Sequence, residues 1–348
     1  MKYRYLLFIT ILFSFKGEIF CQDPRFSQFY TTPQLINPAL TGVFDGEYRI
    51  NVNYRNQWNS ILNKSAFTSY AAGGEYRYNV ADEDYVGGGL QFLKQNSGVG
   101  DLSRLQTHLN ASYIKQLGSN YRGPDYYLAA GLQLGFGQLS TNWNKYWFSR
   151  QYDPNSQSVN TNINSGESGA DRSGLFLDLG AGLLWYAVFD ERTSIYVGGS
   201  LGHLNKPDIA LYDDSKESMY NKFTAHAGGE FLITPYFSLL PAAYFITQGP
   251  SRELVAGSNI RYSNGDWREF SIRAGGFARI NNRLNSFNNF ESTVVNLSFE
   301  FDRWMMGLSY DINFSDLQAV TNSRGAFELS LTYIARERAR YRVKCPTF

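Results

Sequence analysis

The sequence predicts an all-β protein, a transmembrane barrel of the outer-membrane type with about 14 antiparallel strands, and three observations carry that prediction. Apolar and polar residues alternate with a period of two through most of the chain, as strands with two unlike faces require. Fourteen such stretches can be placed, an even number, each long enough to cross a bilayer at a tilt. Short and long connections alternate between them, matching the two unlike ends of such a barrel.

Taken in chain order, residues 1–21 have the layout of a secretory signal: Lys2 and Arg4, an apolar stretch from Tyr5 to Phe15, then a polar break before Cys21 and Gln22. A lipoprotein reading would acylate Cys21, but Glu18, Ile19 and Phe20 lack the small side chains such processing prefers. Cleavage after Cys21 leaves Cys345 without an internal disulfide partner. Residues 22–47 form an irregular N-terminal segment, a periplasmic handle or a plug. Pro24, Pro33 and Pro38 deny it regular ladders, and Asn37 before Pro38 favours a turn. Phe26, Phe29, Tyr30, Leu35 and Leu40 need apolar surroundings.

The first strand, 48–55, sets Tyr48, Ile50, Val52 and Tyr54 against Arg49, Asn51, Asn53 and Arg55. Further strands are expected at 67–78, 84–94, 103–115, 126–138, 174–187, 193–203, 222–233, 236–247, 253–262, 268–278, 292–301, 304–313 and 326–334. The weakest is 236–247, where Pro241 removes a ladder donor. Short connections at 79–83, 187–192, 234–235, 263–267 and 302–303 read as periplasmic turns; longer ones at 139–173, 204–221, 279–291 and 314–325 read as outward loops. The 116–125 turn is long for its side and 248–252 short. The barrel then spans 48–334, with a basic tail over 335–348 and both termini periplasmic. Trp58 at the outer rim fits an interfacial anchor, with Arg55 and Gln57 holding the loop that follows. In 139–173, Trp143, Trp147 and Tyr152 precede a Ser/Asn/Gly-rich run, which suits an outward binding loop or a lid over the mouth.

Composition narrows the function classes. No apolar run of about 18 residues follows the signal, so no transmembrane helix is expected. Mildly negative mean hydropathy still suits a barrel, since only every second residue meets lipid. The 32 glycines, 25 tyrosines and 26 phenylalanines suit strands and interfacial girdles, and a net charge of +1 argues against nucleic acid. Residues 198–202 match G-x-S-x-G around Ser200, but a nucleophile elbow needs a strand, a turn and a helix, and alternation runs straight through. His108, His203 and His226 read as isolated strand histidines rather than metal ligands. Asp82, Glu83 and Asp84 read as a solvated turn, and Gly87–Gly89 as strand glycines that leave space for neighbours. No catalytic site, metal or cofactor is expected. The inward faces would carry Glu75, Arg77, Asp178, Glu230, Glu253, Arg261, Arg273, Glu300, Asp311 and Glu328, a mixed lining that suits cross-barrel ion pairs in a plugged interior or a conducting lumen.

Three elements stand close to the mature start: Gln22, Asp23, Pro24, Phe26, Ser27 and Gln28; Asn37, Pro38, Ala39, Thr41 and Gly42; and Tyr54, Arg55, Asn56, Gln57 and Trp58. With the last strand at 327–333 and the ending Cys345, Pro346 and Phe348, they resemble the PorP/SprF family, outer-membrane proteins of the Bacteroidetes type IX secretion system. The resemblance implies a non-catalytic part in protein secretion and gliding, aiding export or surface anchoring of a large adhesin-like protein. Its implied partners are the C-terminal domain of that secreted protein, periplasmic and outer-membrane lipoproteins of the machinery, and outer-membrane lipid. The motif residues other than Thr41, Tyr54 and the last strand, with Trp143 and Trp147, are the candidate partner contacts. A channel for a small hydrophobic or polar solute is the alternative reading.

Overall fold

The computed structural model describes residues 23–81, 84–118, 123–167, 171–190, 192–211, 216–264, 270–283, 286–316, 318–335 and 345–346. The expected signal over 1–21, Gln22, Asp82, Glu83, most of the basic tail and Phe348 lie outside the described residues.

Fourteen antiparallel strands close into one barrel: β1 Tyr48–Gln57, β2 Phe67–Ala81, β3 Asp84–Ser97, β4 Leu102–Gly118, β5 Asp125–Ser140, β6 Phe176–Asp190, β7 Thr193–Gly202, β8 Lys222–Thr234, β9 Phe237–Gln248, β10 Ser251–Ser263, β11 Phe270–Arg283, β12 Ser286–Phe301, β13 Trp304–Asn313 and β14 Arg324–Ile334. Each strand pairs with its chain neighbours, and β1 closes the ring on β14 with Arg49 opposite Ile334 and Gln57 opposite Ala326. Closure leaves no edge whose backbone groups would be stranded in lipid. The faces are inverted relative to a water-soluble sheet. Tyr48, Ile50 and Val52 are exposed on the outside, whereas Arg49, Asn51, Asn53 and Arg55 are buried within.

Every expected strand is present, with local differences that have physical causes. The expected loop at 279–291 is mostly ladder: β11 reaches Arg283 and β12 starts at Ser286, with register shifts between Arg279 and Ile280 and between Asn281 and Asn282. Beyond the apolar band no lipid row has to be maintained, so alternation fades there while backbone pairing continues. The β9–β10 connection is a two-residue turn at Gly249 and Pro250, with Gly249 at φ 57°. Pro241 sits inside β9, opposite Ser258 of β10. Toward β8 the ladder pairs Gly228 with Ala242 and Phe231 with Leu239 but skips the positions between, where proline has no N–H to give.

The hydrophobic core lies inside the barrel, between its wall and residues 23–44. That segment is three short helical turns, Phe29–Thr31, Pro33–Ile36 and Pro38–Leu40. Phe29 and Tyr30 pack with Tyr244, Ile246, Val255, Phe277 and Val294, and Phe29 meets Tyr244 edge-on at 4.7 Å between ring centroids. Ala39, Leu40 and Val43 pack with Tyr85, Tyr127, Leu184 and Tyr186 nearer the short-turn end. The sequence reading left residues 22–47 as a periplasmic handle or a plug. Asp23 contacts His203 and Gln248 at the long-loop mouth, while Gly42 contacts Glu75 toward the short turns, so the segment runs the length of the lumen. Strand parity reports which face a residue takes, but not how deep an irregular segment lies.

Two wall glycines make room for it. A Cβ on Gly131 would strike the backbone of Pro38 and Ala39, and one on Gly182 would strike the Asn37 side chain. We expect Gly131→Val to destabilise the barrel by about 1–3 kcal/mol, the usual result of overpacking. Gly88→Val, whose added Cβ meets nothing within 4 Å, should be neutral. The temperature at which the compact band disappears from an unboiled gel distinguishes the two variants.

Candidate functional site

The densest polar cluster joins the luminal segment to four strands. Arg55 of β1 lies opposite Glu328 of β14 in the ladder, so their inward side chains are cross-strand neighbours. Arg55 Nη2 lies 2.7 Å from Asp311 Oδ2 of β13, and its Nη1 lies 3.3 Å from Glu328 Oε2. Arg279 of β11 reaches the same Asp311 at 3.0 Å. Ser27 sits at the centre. Its backbone N–H donates to Glu328 at 2.7 Å and its hydroxyl to Asp311 at 2.7 Å, while Arg55 and Arg279 donate to that hydroxyl oxygen. Gln28 N–H donates to the other Glu328 oxygen at 2.9 Å, and Ser330 donates to Gln28 Oε1 at 2.7 Å. All these groups are buried. A carboxylate in such a place needs paired cations and hydrogen bonds, because it has lost its water.

A second cluster holds the start of the segment. Asp23 lies 2.9 Å from Arg104, 2.9 Å from His203 Nε2 and 2.8 Å from Lys222. His203 Nδ1 lies 2.9 Å from Asp178, so the ring bridges two carboxylates. Burial alone would raise the Asp23 pKa, but His203, Lys222 and Arg104 together hold it well below the ordinary carboxylate value. At His203, just past β7, burial pushes down, while Asp23 and Asp178 prevail and raise the pKa. The imidazolium form therefore donates to both carboxylates.

The third cluster fixes the turn at 37–42. Asn37 Oδ1 accepts from Ala39 N–H at 2.9 Å, its amide donates to the Leu183 and Gly199 carbonyls at 2.9 and 3.2 Å, and His226 Nε2 is 3.0 Å away. Ser200 donates to Ile36 O at 2.7 Å and Ser112 to Thr41 O at 2.5 Å. Gly42, at φ 78°, donates its N–H to Glu75 at 2.7 Å, and Arg49 pairs with Glu75 at 2.7 Å. Arg77 donates to Phe44 O at 2.6 Å and to Cys345 Sγ at 3.0 Å, so the chain's last described residues close the same end.

The family model described as "Type IX secretion system membrane protein PorP/SprF" matches residues 19–333. The chain belongs to the PorP/SprF family. No curated protein sequence matches it. Among solved structures it is similar to the TodX monoaromatic hydrocarbon channel deltaS2 mutant, with TM-score 0.53, 11% identity, and coverage of 88% of this chain and 94% of that one. It is also similar to the CymD monoaromatic hydrocarbon channel, with TM-score 0.50, 11% identity, and coverage of 88% and 93%. At such identity the likeness is one of fold. This PorP/SprF protein is a β-barrel of the outer membrane.

Within it, the structure gathers most of the candidate residues into the lumen. Asp23, Ser27, Gln28, Asn37, Gly42 and Arg55 all contribute to the three clusters. Pro24, Phe26, Pro38 and Ala39 pack between or beside them, with Phe26 against Ala71 and Leu93. Arg55 does not hold the loop after β1, as the sequence reading had it. It points inward because it shares parity with Arg49. Asn56 donates to its outward neighbour Tyr54 at 3.1 Å, and Gln57 ends β1 opposite Phe67. Trp58, at φ 59°, meets Phe67 edge-on at 5.3 Å. Trp143 clusters with Tyr146 and Phe148 in the long loop, outside the three polar clusters, and Trp147 is 60% exposed there. Cys345 packs on the Ala39 core, and Pro346 is buried.

The histidines are not isolated. His203 and His108 converge on Asp178, at 2.9 and 4.0 Å, and His226 meets Asn37. Ser200 lies within one continuous strand, its hydroxyl given to the luminal segment. Sequence reasoning missed Arg104, Lys222 and Arg279. Inward parity with Gln106 and His108 marks Arg104 in retrospect, whereas Arg279 fell where a loop was expected.

Arg55→Ala leaves Asp311 and Glu328 buried with half their counter-charge, and we expect a loss of about 3–5 kcal/mol, read as a lower unfolding midpoint in detergent. The Asp23 cluster predicts a pH window. A depressed Asp23 stabilises above its unfolded pKa, and that contribution fades as pH falls through the folded value. A raised His203 stabilises below its unfolded pKa, and that contribution fades as pH rises through the folded value. Amide exchange around residues 23–29, corrected for intrinsic rates, should therefore be slowest near about pH 5–6. Asp23→Asn should give faster exchange with a flatter pH profile.

Proposed function

We propose that this protein is a non-catalytic component of type IX secretion that aids export or surface anchoring of a large adhesin-like protein and thereby gliding. The observation that carries the reading, beside family membership, is that the family-motif residues of the luminal segment are used to hold a filled lumen. Work on another protein then falls to the two mouths. On the turn-length rule the short turns face the periplasm. In that orientation β1 begins and β14 ends in the periplasm, where lipoproteins of the machinery would dock. The long loop with Trp143 and Trp147 faces outward toward the C-terminal domain of the exported partner.

The fold shared with hydrocarbon channels favours a second reading, a channel for a small solute. Against it, the cavity beside the luminal segment at the long-loop end is ≈ 40 Å³ and is lined by Asp23, Arg25, His108, Asp178, His203 and Lys222 together with apolar side chains. Such a space suits a few waters, and nothing the size of an aromatic hydrocarbon.

Deleting the gene should abolish surface display of a type IX substrate and leave it in the periplasm, while the purified barrel gives no solute-dependent conductance in a planar bilayer. Normal display of all such substrates in the deletion strain would sink the secretion reading, and solute-dependent conductance would establish the channel.

A further inference from the structure

The barrel's outer face carries a concavity that the secretion reading does not use. Between β3 and β8 an open groove of ≈ 920 Å³ lies on the lipid side, within the size range of a lipophilic ligand site. Its floor is low because Ala111, Ala130, Ala181 and Gly199 point outward there, with Leu132 and Phe223 among the larger side chains around them. Directly behind that floor, Gly131 and Gly182 abut Asn37, Pro38 and Ala39. The groove thus lies on the outer side of the same stretch of wall that packs the luminal turn.

The lining can hold only an apolar body. Backbone groups along the groove pair strand to strand from β3 to β8, so they offer nothing to a peptide. Among the described residues, a charged pair stands at one end of the groove. Tyr113, which borders the groove, donates to Asp84 at 2.5 Å, and the ammonium of Lys115 lies 3.4 Å from the same carboxylate with its side chain 58% exposed. Lys115 pairs with Leu128, and Leu128 with Trp185, which stacks on Tyr126 at 6.1 Å. An outward Tyr–Trp pair marks the membrane–water interface. Lys115 and Asp84 therefore sit at headgroup depth, beside a groove at hydrocarbon depth.

We infer that this groove is a binding site for a zwitterionic glycerophospholipid, its acyl chains in the groove, its phosphate on Lys115 and its amine toward Asp84. The weak Lys115–Asp84 contact leaves ammonium protons for a phosphate, and the carboxylate beside it favours an amine-bearing headgroup over an anionic one.

The test is native mass spectrometry of the full-length barrel in detergent, with phosphatidylethanolamine or phosphatidylglycerol added back. One phosphatidylethanolamine per chain should be retained, in preference to phosphatidylglycerol. Ala130→Phe with Ala181→Phe, which fills the floor from the lipid side, should abolish retention. Lys115→Gln, an exposed change that leaves the wall intact, should reduce it about fivefold, the effect of one lysine near a lipid surface. Retention unchanged in both variants, a preference for phosphatidylglycerol, or a two-chain particle in place of the lipid-bound monomer would overturn the assignment.

Discussion

Carboxylates buried in a barrel lumen have to be neutralised within the protein, and the organisation of this molecule follows from how Asp311 and Glu328 meet that demand. Two arginines from the wall provide the charge, and the backbone N–H groups of Ser27 and Gln28 supply donors the wall lacks. A strand spends its own N–H groups on its neighbours, so free backbone donors at mid-lumen must come from a segment outside the ladder. The irregular N-terminus is that segment, and its prolines keep it from joining a sheet that would consume those groups. The luminal segment and the charged lining are therefore parts of a single structure.

This constraint connects the sequence motifs. Asp23 faces a basic cluster, Ser27 and Gln28 face an acidic pair relieved by arginine, and Asn37 faces strand carbonyls and a histidine. Each contact differs in sign or donor type from the next, so sliding the segment would set like charges or like hydrogen-bonding groups against each other. Register along the lumen is specified electrostatically, much as strand register is specified by apolar alternation.

The strands were legible because the membrane imposes a strict period of two on every wall segment it touches. That parity also sorted the inward charges: Glu75, Asp178, Glu253, Asp311 and Glu328 all face inward. What parity does not encode is proximity across the closed ring. Arg55 and Glu328 lie 273 positions apart in the chain yet share one cluster, because closure places the first strand beside the last. Arg279 was lost where the ladder extends past the apolar band and alternation fades. His203 looked solitary because its carboxylates come from Asp178 and from Asp23, the latter in a segment that carries no period at all.

The two faces of a wall strand answer to different media, so neighbouring residues in β5 carry separate constraints. Gly131 is small because the luminal turn presses on it, and Ala130 faces lipid where a larger side chain would find space. One residue is limited by steric contact and the other is not, although they are adjacent in the chain. A substitution in this wall is therefore interpreted first by its parity and only then by its size. Inward changes act on the luminal charge clusters and the segment they hold, and outward changes act on what the membrane packs against the wall.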